Sequence, residues 1–195
     1  MLKRCFDIVV SLTGLILLTP LFLLIAVLIV LDSPGPVFFQ QERMGKNFRP
    51  FQILKFRTMV TGPPDSPSLT IGRDPRITRL GGFLRKSKLD ELPQLINVLR
   101  GDMSLVGPRP EVREFVEMFP EDYIDILSVR PGITDLASIE FSEESEILGQ
   151  AENPLEFYRA EILPRKIQLA KKYIREASFW FDLRLILRTA TKIWS

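Results

Sequence analysis

Residues 8–31 read IVVSLTGLILLTPLFLLIAVLIVL, with no charged side chain among them. As a straight helix these positions reach ~36 Å, enough to cross a bilayer core of ~30 Å. A cleaved signal peptide fits poorly, because the run is too long and the LDSPGP after it has no small-x-small cleavage site. A buried core helix also fits poorly, since such helices seldom run this long without polar residues. A spanning helix and a re-entrant hairpin remain. Two features favour the hairpin. Thr19-Pro20 lies near the middle of the run, where proline removes a backbone donor and bends the helix. Lys3 and Arg4 precede the run, and Arg43, Lys46, Arg49, Lys55 and Arg57 follow it. Basic residues prefer the cytoplasmic side, and a segment that enters and leaves by one face satisfies both flanks. Ser11 and Gly14 would let the two arms pack closely.

The remainder frames a folded domain. A chain of 195 residues suits one ordinary domain. Apolar content of 46% and charged content of 26% fit a folded chain rather than a disordered one. A net charge of +2 gives no whole-molecule field toward nucleic acid, so no nucleic-acid partner is expected. There is no histidine, which removes imidazole bases, Ser-His-Asp arrangements and histidine-bound zinc. The single cysteine, Cys5, excludes intrachain disulfides and thiolate metal clusters. Acid–base or nucleophilic chemistry falls to Asp, Glu, Lys, Ser, Thr or Tyr. A metal would be a hard cation on carboxylate oxygens, Mg²⁺ above all.

Pro36 to Met59 predicts two short strands around a turn at residues 44–47. Val60 to Gly72 is a Pro/Gly/Ser loop suited to cover an active site. Arg76 to Gly101 reads as two helical pieces, the second bounded by Asp90 and Gly101. A loop then leads to a helix starting near Pro110, and Pro131-Gly132 marks a turn before a short extended stretch. Asn153 to Ser178 is helical, with Asn153 as cap and Pro154 in the first turn. In Phe179 to Trp194, Arg184, Arg188 and Lys192 fall on one face of a broadly apolar helix. That helix either lies on an anionic membrane surface or packs as an ordinary domain helix. The expected class is α+β, mostly α. Residues 1–35 form a re-entrant helix-break-helix. Residues 36–195 form a catalytic part with a small β-hairpin, several short helices and amphipathic interfacial helices.

Within KSKLDELPQLINVLRGD (Lys86 to Asp102) two carboxylates, Asp90 and Glu91, stand side by side. Capping accounts for them simply: Asp90 caps, Glu91 complements the dipole, and Leu92, Leu95, Ile96, Val98 and Leu99 bury. The surroundings suggest phosphate chemistry instead. A helix N-terminus attracts phosphate. Arg73, Arg76, Arg79, Arg85, Lys86 and Lys88 precede the pair, and Arg109 follows it. With cations cancelling the repulsion, Asp90 could attack phosphorus while Glu91 holds Mg²⁺ or accepts a proton.

These stretches, taken in order, resemble the bacterial sugar transferase family, the monotopic phosphoglycosyl transferases. The match comprises the apolar segment broken at Thr19-Pro20, GPVFFQQERMGKNFRPFQILKFRTM (35–59), DPRITRLGGFLRKSKLDELPQLINVLRGDMSLVGPRPE (74–111) and VRPGITDLASI (129–139). Longer members carry extra N-terminal membrane helices, and this chain resembles the small form. The resemblance implies transfer of a sugar-1-phosphate from a UDP-sugar to a polyprenol phosphate such as undecaprenyl phosphate. UMP is released, and a membrane-linked glycan begins at the cytoplasmic face of the bacterial inner membrane. It implies a ping-pong route through a phosphosugar on Asp90, with Glu91 as metal ligand or base and Mg²⁺ as cofactor. It also implies that Lys55, Arg57, Arg85, Arg109 and Arg130 contact phosphates or nucleotide. A membrane-associated homodimer is compatible with the sequence.

One stretch departs from the common pattern. Many relatives continue PGIT with Gly-Leu-Ala-Gln and then Asn-Gly-Arg; this chain has Asp135-Leu136-Ala137-Ser138 and then IEFSEESEILG. Sugar identity therefore does not carry over. Two other functions compete with the transferase: a nucleotide-sugar hydrolase with water as acceptor, and a membrane-anchored interaction protein in polysaccharide assembly. Clustered cations around an acidic pair have no obvious use in a scaffold.

Overall fold

The apolar run folds as one helix, α1 (Leu2–Asp32), with Pro20 inside it. The break expected at Thr19-Pro20 does not interrupt the secondary structure. A proline takes one donor out of the helical ladder, which bends a helix more readily than it ends one. The Thr19 hydroxyl donates to the Leu15 carbonyl at 2.8 Å, a back-bond that accompanies bending. The computed structural model describes residues 2–60, 69–72 and 74–194, with side chains through 192. Most of the Pro/Gly/Ser loop expected at 60–72 lies outside them, as do Arg73 and the side chains of residues 193 and 194.

One stripe of α1 faces inward: Asp7, Ser11, Ile25 and Ile29 are buried, and Gly14 faces Leu95. The opposite stripe, including Val9, Leu12, Ile16, Leu17, Leu23, Leu24, Val27 and Leu31, is exposed. Polar contacts fix both ends to the same body. Near the start, Arg4 donates to the Val98 and Leu99 carbonyls at 2.7 and 3.2 Å. Asp7 accepts from the Ser104 hydroxyl at 2.8 Å and the Leu105 amide at 3.2 Å. Lys3 pairs with Asp182. At the far end, Arg57 donates to the carbonyls of Pro34 at 2.5 Å, Ser33 at 2.6 Å and Ile29 at 3.3 Å. The Ile29 carbonyl also accepts from the Ser33 amide at 3.1 Å, the Ser33 and Pro34 carbonyls lie just past the last turn, and a cation suits the negative end of the helix dipole.

The expected hairpin forms from β1 (Phe38–Met44) and β2 (Pro50–Phe56), paired antiparallel from Phe38↔Phe56 to Met44↔Pro50. Helix α2 (Arg79–Lys86) follows, capped by Thr78, whose hydroxyl oxygen accepts from the Gly81 amide. Gly81 sits directly on the chain beyond β2: a Cβ there would come within 2.0 Å of the Thr58 carbonyl oxygen. Lys88, in the left-handed region at φ 57°, then turns the chain into a 3₁₀ turn, Leu89–Glu91. Helix α3 (Gln94–Arg100) ends at Gly101, with φ 92°. The capping role expected of Asp90 is therefore not what the structure shows. The helix starts beyond Pro93, whose ring cannot donate within the ladder, and Asp90 lies in the preceding turn.

Beyond α3 come β3 (Ser104–Val106), α4 (Arg113–Met118), α5 (Pro120–Ile126), β4 (Gly132–Thr134), α6 (Leu136–Glu140) and α7 (Glu144–Gly149). α8 (Pro154–Phe157), a π-helical turn (Tyr158–Ile162) and α9 (Leu163–Glu176) form one run, with the Asn153 side chain accepting from the Glu156 amide at its start. α10 (Phe179–Trp194) closes the chain. Strand β3 falls where a loop is expected; its three residues are all buried and too few to display alternation. It pairs in parallel with β4. The loops after β3 and before β4 touch so closely that a Cβ on Gly132 would lie 2.0 Å from the Gly107 nitrogen.

Three adjoining cores hold this together. Ile25 and Ile29 of α1 pack on Phe56 and Leu84. Ile53, Val98, Met103, Leu105, Val106, Ile139, Tyr173 and Leu185 join β2, α3, the parallel pair, α9 and α10. Phe115, Tyr123, Leu148, Tyr158 and Leu163 join α4 to α9 with the end of β1.

Candidate active site

Two segments distant in sequence converge on the 3₁₀ turn. β2 contributes Lys55, and the Pro108-Arg109-Pro110 loop after β3 contributes Arg109. Oε1 of Glu91 accepts from Lys55 Nζ at 2.6 Å and from Arg109 Nη2 at 2.9 Å. Burial by itself would raise the Glu91 carboxyl, but these two cations outweigh it and hold the group well below the usual carboxylate range. Burial lowers Lys55, and Glu91 opposes that shift. Glu91 in turn raises Arg109.

Asp90 has a different environment. It is buried at 6% exposure, and its Oδ1 has no hydrogen-bond partner among the described residues. Burial raises its carboxyl above the ordinary value; Lys55 opposes and Glu91 reinforces the rise. A buried carboxylate oxygen left unpaired is costly, and such sites are commonly completed by substrate or ion.

Arg85 approaches from the last turn of α2. Its partners are neutral: the hydroxyls of Thr58 at 2.9 Å and Thr70 at 3.1 Å, and the Met59 sulfur at 3.7 Å. Burial lowers it, while Asp90 and Asp74 act against that shift. Arg76 is taken up by a bidentate pair with Asp74.

Two cations that the resemblance puts on the substrate lie elsewhere. Arg57 is buried on the carbonyl end of α1, as described above, where helix geometry leaves orphan acceptors. Arg130 donates from Nε to the Gly101 carbonyl at 2.7 Å, at the far end of α3 from the carboxylates. Lys55, Arg85 and Arg109 are the cations brought toward Asp90 and Glu91.

Asn97 and Asp135 were not legible as site residues. Asn97 is fully buried; its Oδ1 accepts from the Leu54 amide at 3.0 Å and its Nδ2 donates to the Gln52 carbonyl at 2.8 Å. It thus bolts α3, which follows the carboxylates, to the strand segment next to Lys55. Polar Gln94 and Asn97, three apart on an apolar helix and both buried, are the signal that could have exposed this. Asp135 caps α6 through the Ser138 amide at 2.9 Å, and the Ser138 hydroxyl donates to it as well. Arg109 Nη1 donates to Ser138 Oγ at 3.2 Å.

The donor set admits a hard divalent cation. Asp90 and Glu91 offer adjacent carboxylate oxygens, one of them buried and unpartnered. Among the described residues no three acidic side chains converge.

The family model for the bacterial sugar transferase matches residues 1–195. The chain is 41% identical over 195 residues to an undecaprenyl-phosphate glucose phosphotransferase of Komagataeibacter xylinus, covering 96% of this chain and 35% of that one. It is 40% identical to the UDP-glucose:undecaprenyl-phosphate glucose-1-phosphate transferase of Escherichia coli K12, covering 98% and 40% of the two chains. It is also 40% identical to a UDP-N-acetylgalactosamine-undecaprenyl-phosphate N-acetylgalactosaminephosphotransferase of Aeromonas hydrophila, covering 98% and 43%. The chain thus spans less than half the length of these three relatives. With a family model matched from end to end onto the fold and the carboxylate site described above, this chain belongs to the bacterial sugar transferase family.

Proposed function

We propose that this chain transfers a sugar-1-phosphate from a UDP-sugar to a polyprenol phosphate, undecaprenyl phosphate being the acceptor named for its relatives, and releases UMP. The observation that carries the mechanism is the unpartnered Oδ1 of buried Asp90 beside a Glu91 clamped by two cations. In the first half-reaction an Asp90 oxygen attacks the sugar-bearing phosphorus. The bond from that phosphorus to the bridging oxygen breaks, and the electron pair leaves with UMP. In the second, an oxygen of the polyprenol phosphate attacks the same phosphorus, and the acyl-phosphate bond returns its electrons to Asp90. Burial disfavours ionised Asp90 in the empty site, so arriving cationic charge helps make it a nucleophile. Arg85, free of any acidic side-chain contact among the described residues, is placed to take diphosphate charge. Asp90 and Glu91 would hold Mg²⁺, which when bound neutralises phosphate oxygens and polarises the phosphorus.

The same reading sets the chain on one face of a membrane, with residues 1–35 as the insert and 36–195 as the catalytic part. Both ends of α1 and its Gly14 contact the same folded unit, while its other stripe is apolar and exposed. A helix crossing the bilayer would separate its ends by ~30 Å of hydrocarbon, which supports entry and exit at a single face. The basic flanks favour the cytoplasmic one. The exposed Trp180, Arg184, Leu187 and Arg188 of α10 suit the headgroup region.

The test is intact-protein mass after incubation with a panel of UDP-sugars and Mg²⁺, without lipid. One phosphosugar should add, and Asp90→Asn should remove it. Turnover with polyprenol phosphate but no adduct with any donor would exclude the covalent route. Sugar phosphate released into water without lipid, at many turnovers per enzyme, would point to a hydrolase instead. A cysteine near residue 2 and another near residue 65 should be labelled from the same side of a sealed vesicle; opposite sides would reject the hairpin.

A further inference from the structure

We propose that Asp135 and Ser138 are positioning residues that fix the Arg109 guanidinium against Glu91. The side chains form a continuous line: Asp135 receives the Ser138 hydroxyl, Ser138 Oγ receives Arg109 Nη1 at 3.2 Å, and Arg109 Nη2 reaches Glu91 at 2.9 Å. These are two of the positions at which the chain departs from the Gly-Leu-Ala-Gln of many relatives and resembles a subset of the family instead.

Helix capping alone does not account for the pair. A cap requires Asp135 Oδ1 on the Ser138 amide, which is present at 2.9 Å, and alanine at 138 would serve as well. Here Oδ2 also takes the hydroxyl proton, which leaves the serine lone pairs to receive Arg109. Asp135 is 3% exposed, and among charged groups Arg109 has the largest influence opposing its burial. A guanidinium is a planar fork, so fixing one nitrogen on Ser138 and another on Glu91 sets its plane. Arg109 lines one cavity together with Glu111, Asp135, Lys166 and Tyr173, so the protein places two further carboxylates beside it on that side. Arg85, whose hydrogen-bond partners among the described residues are neutral, and Arg109, held on Glu91 directly and on Asp135 through Ser138, have different work. Arg85 is left for substrate charge, while Arg109 holds Glu91 in its orientation.

The kinetic arm of the test rests on the transferase reading; the stability arm does not. In UMP release with UDP-sugar, Mg²⁺ and polyprenol phosphate, Ser138→Ala should lower kcat about tenfold with little change in KM, and Ser138→Thr should restore most of it. Asp135→Asn should lower kcat similarly. In the stability arm, Asp135→Asn and Glu91→Gln, which remove groups that do not touch, should be non-additive in thermal midpoint. They should become additive within about 1 °C when Arg109 is replaced by methionine. Additivity in both backgrounds would overturn the proposal, as would unchanged kcat in an active Ser138→Ala enzyme. If the wild type released no UMP with any donor, the transferase reading would fall while the thermal cycle still decided the line from Asp135 to Glu91.

Discussion

Asp90 and Glu91 are consecutive, yet their carboxylates sit in opposite surroundings. Glu91 Oε1 receives both Lys55 and Arg109, while Asp90 Oδ1 is buried without a partner. The 3₁₀ turn is entered through left-handed Lys88, and of its two carboxylates only Glu91 is held by cations at hydrogen-bond distance among the described residues. Burial raises the first carboxyl of the pair, and the cations overcome burial at the second. Two neighbouring acids with separated titrations fit two roles, a nucleophile and a fixed anion.

Replacing Asp90 should stabilise the protein while abolishing turnover. With its folded value raised, the protonated form favours the native state, so this stability is complete below about pH 4 and is lost as pH rises through the folded value. Asp90→Asn should therefore melt above wild type near neutral pH, the gap closing on acidification. Its rate should fall about 10³-fold or more. A lower midpoint than wild type at neutral pH would contradict the unpaired, costly carboxylate.

Glu91→Gln should do the reverse. A lowered folded value means stability that is present above about pH 4.3 and lost as pH falls through the folded value. Removing the charge also leaves Lys55 and Arg109 facing each other. The loss near neutral pH is expected at about 3 kcal/mol, or roughly 6–12 °C in thermal midpoint. Calorimetry at several pH values, showing the gap to wild type shrink in acid, checks the sign.

Arg57 should prove a stability residue. Arg57→Met takes the guanidinium from the Pro34 and Ser33 carbonyls, and from the Ile29 carbonyl its second donor beside the Ser33 amide, and is expected to cost about 2–3 kcal/mol. Surviving enzyme should keep its KM for the nucleotide sugar. A large rise in KM with an unchanged melting temperature would return Arg57 to the substrate.

Asn97 should matter to both stability and rate. Asn97→Ala strands the buried Leu54 amide and the partly buried Gln52 carbonyl, at a cost of about 2–4 kcal/mol. Because Lys55 follows Leu54, kcat should drop while polyprenol phosphate binding holds. Hydrogen exchange at the Leu54 amide should quicken; slow exchange there would mean that another group supports the strand.

Much of this protein was determined in the chain itself. Hydrophobic length specified a long apolar N-terminal helix, the turn residues 44–47 specified the hairpin, and the order of short motifs specified the family. Those features depend on contacts a few residues apart or on composition, which a linear string displays. Tertiary structure decided which cations meet the carboxylates. Arg57 and Lys55 are two residues apart, a spacing that within a strand puts side chains on one face; β2 ends at Phe56, so Arg57 leaves the strand and closes helix α1 while Lys55 grips Glu91. The parallel contact of β3 with β4, which brings Asp135 and Ser138 to Arg109, joins segments about thirty residues apart through a glycine-tight crossing. Charge balance at the site follows from that crossing, and no local pattern encodes a distance between two loops.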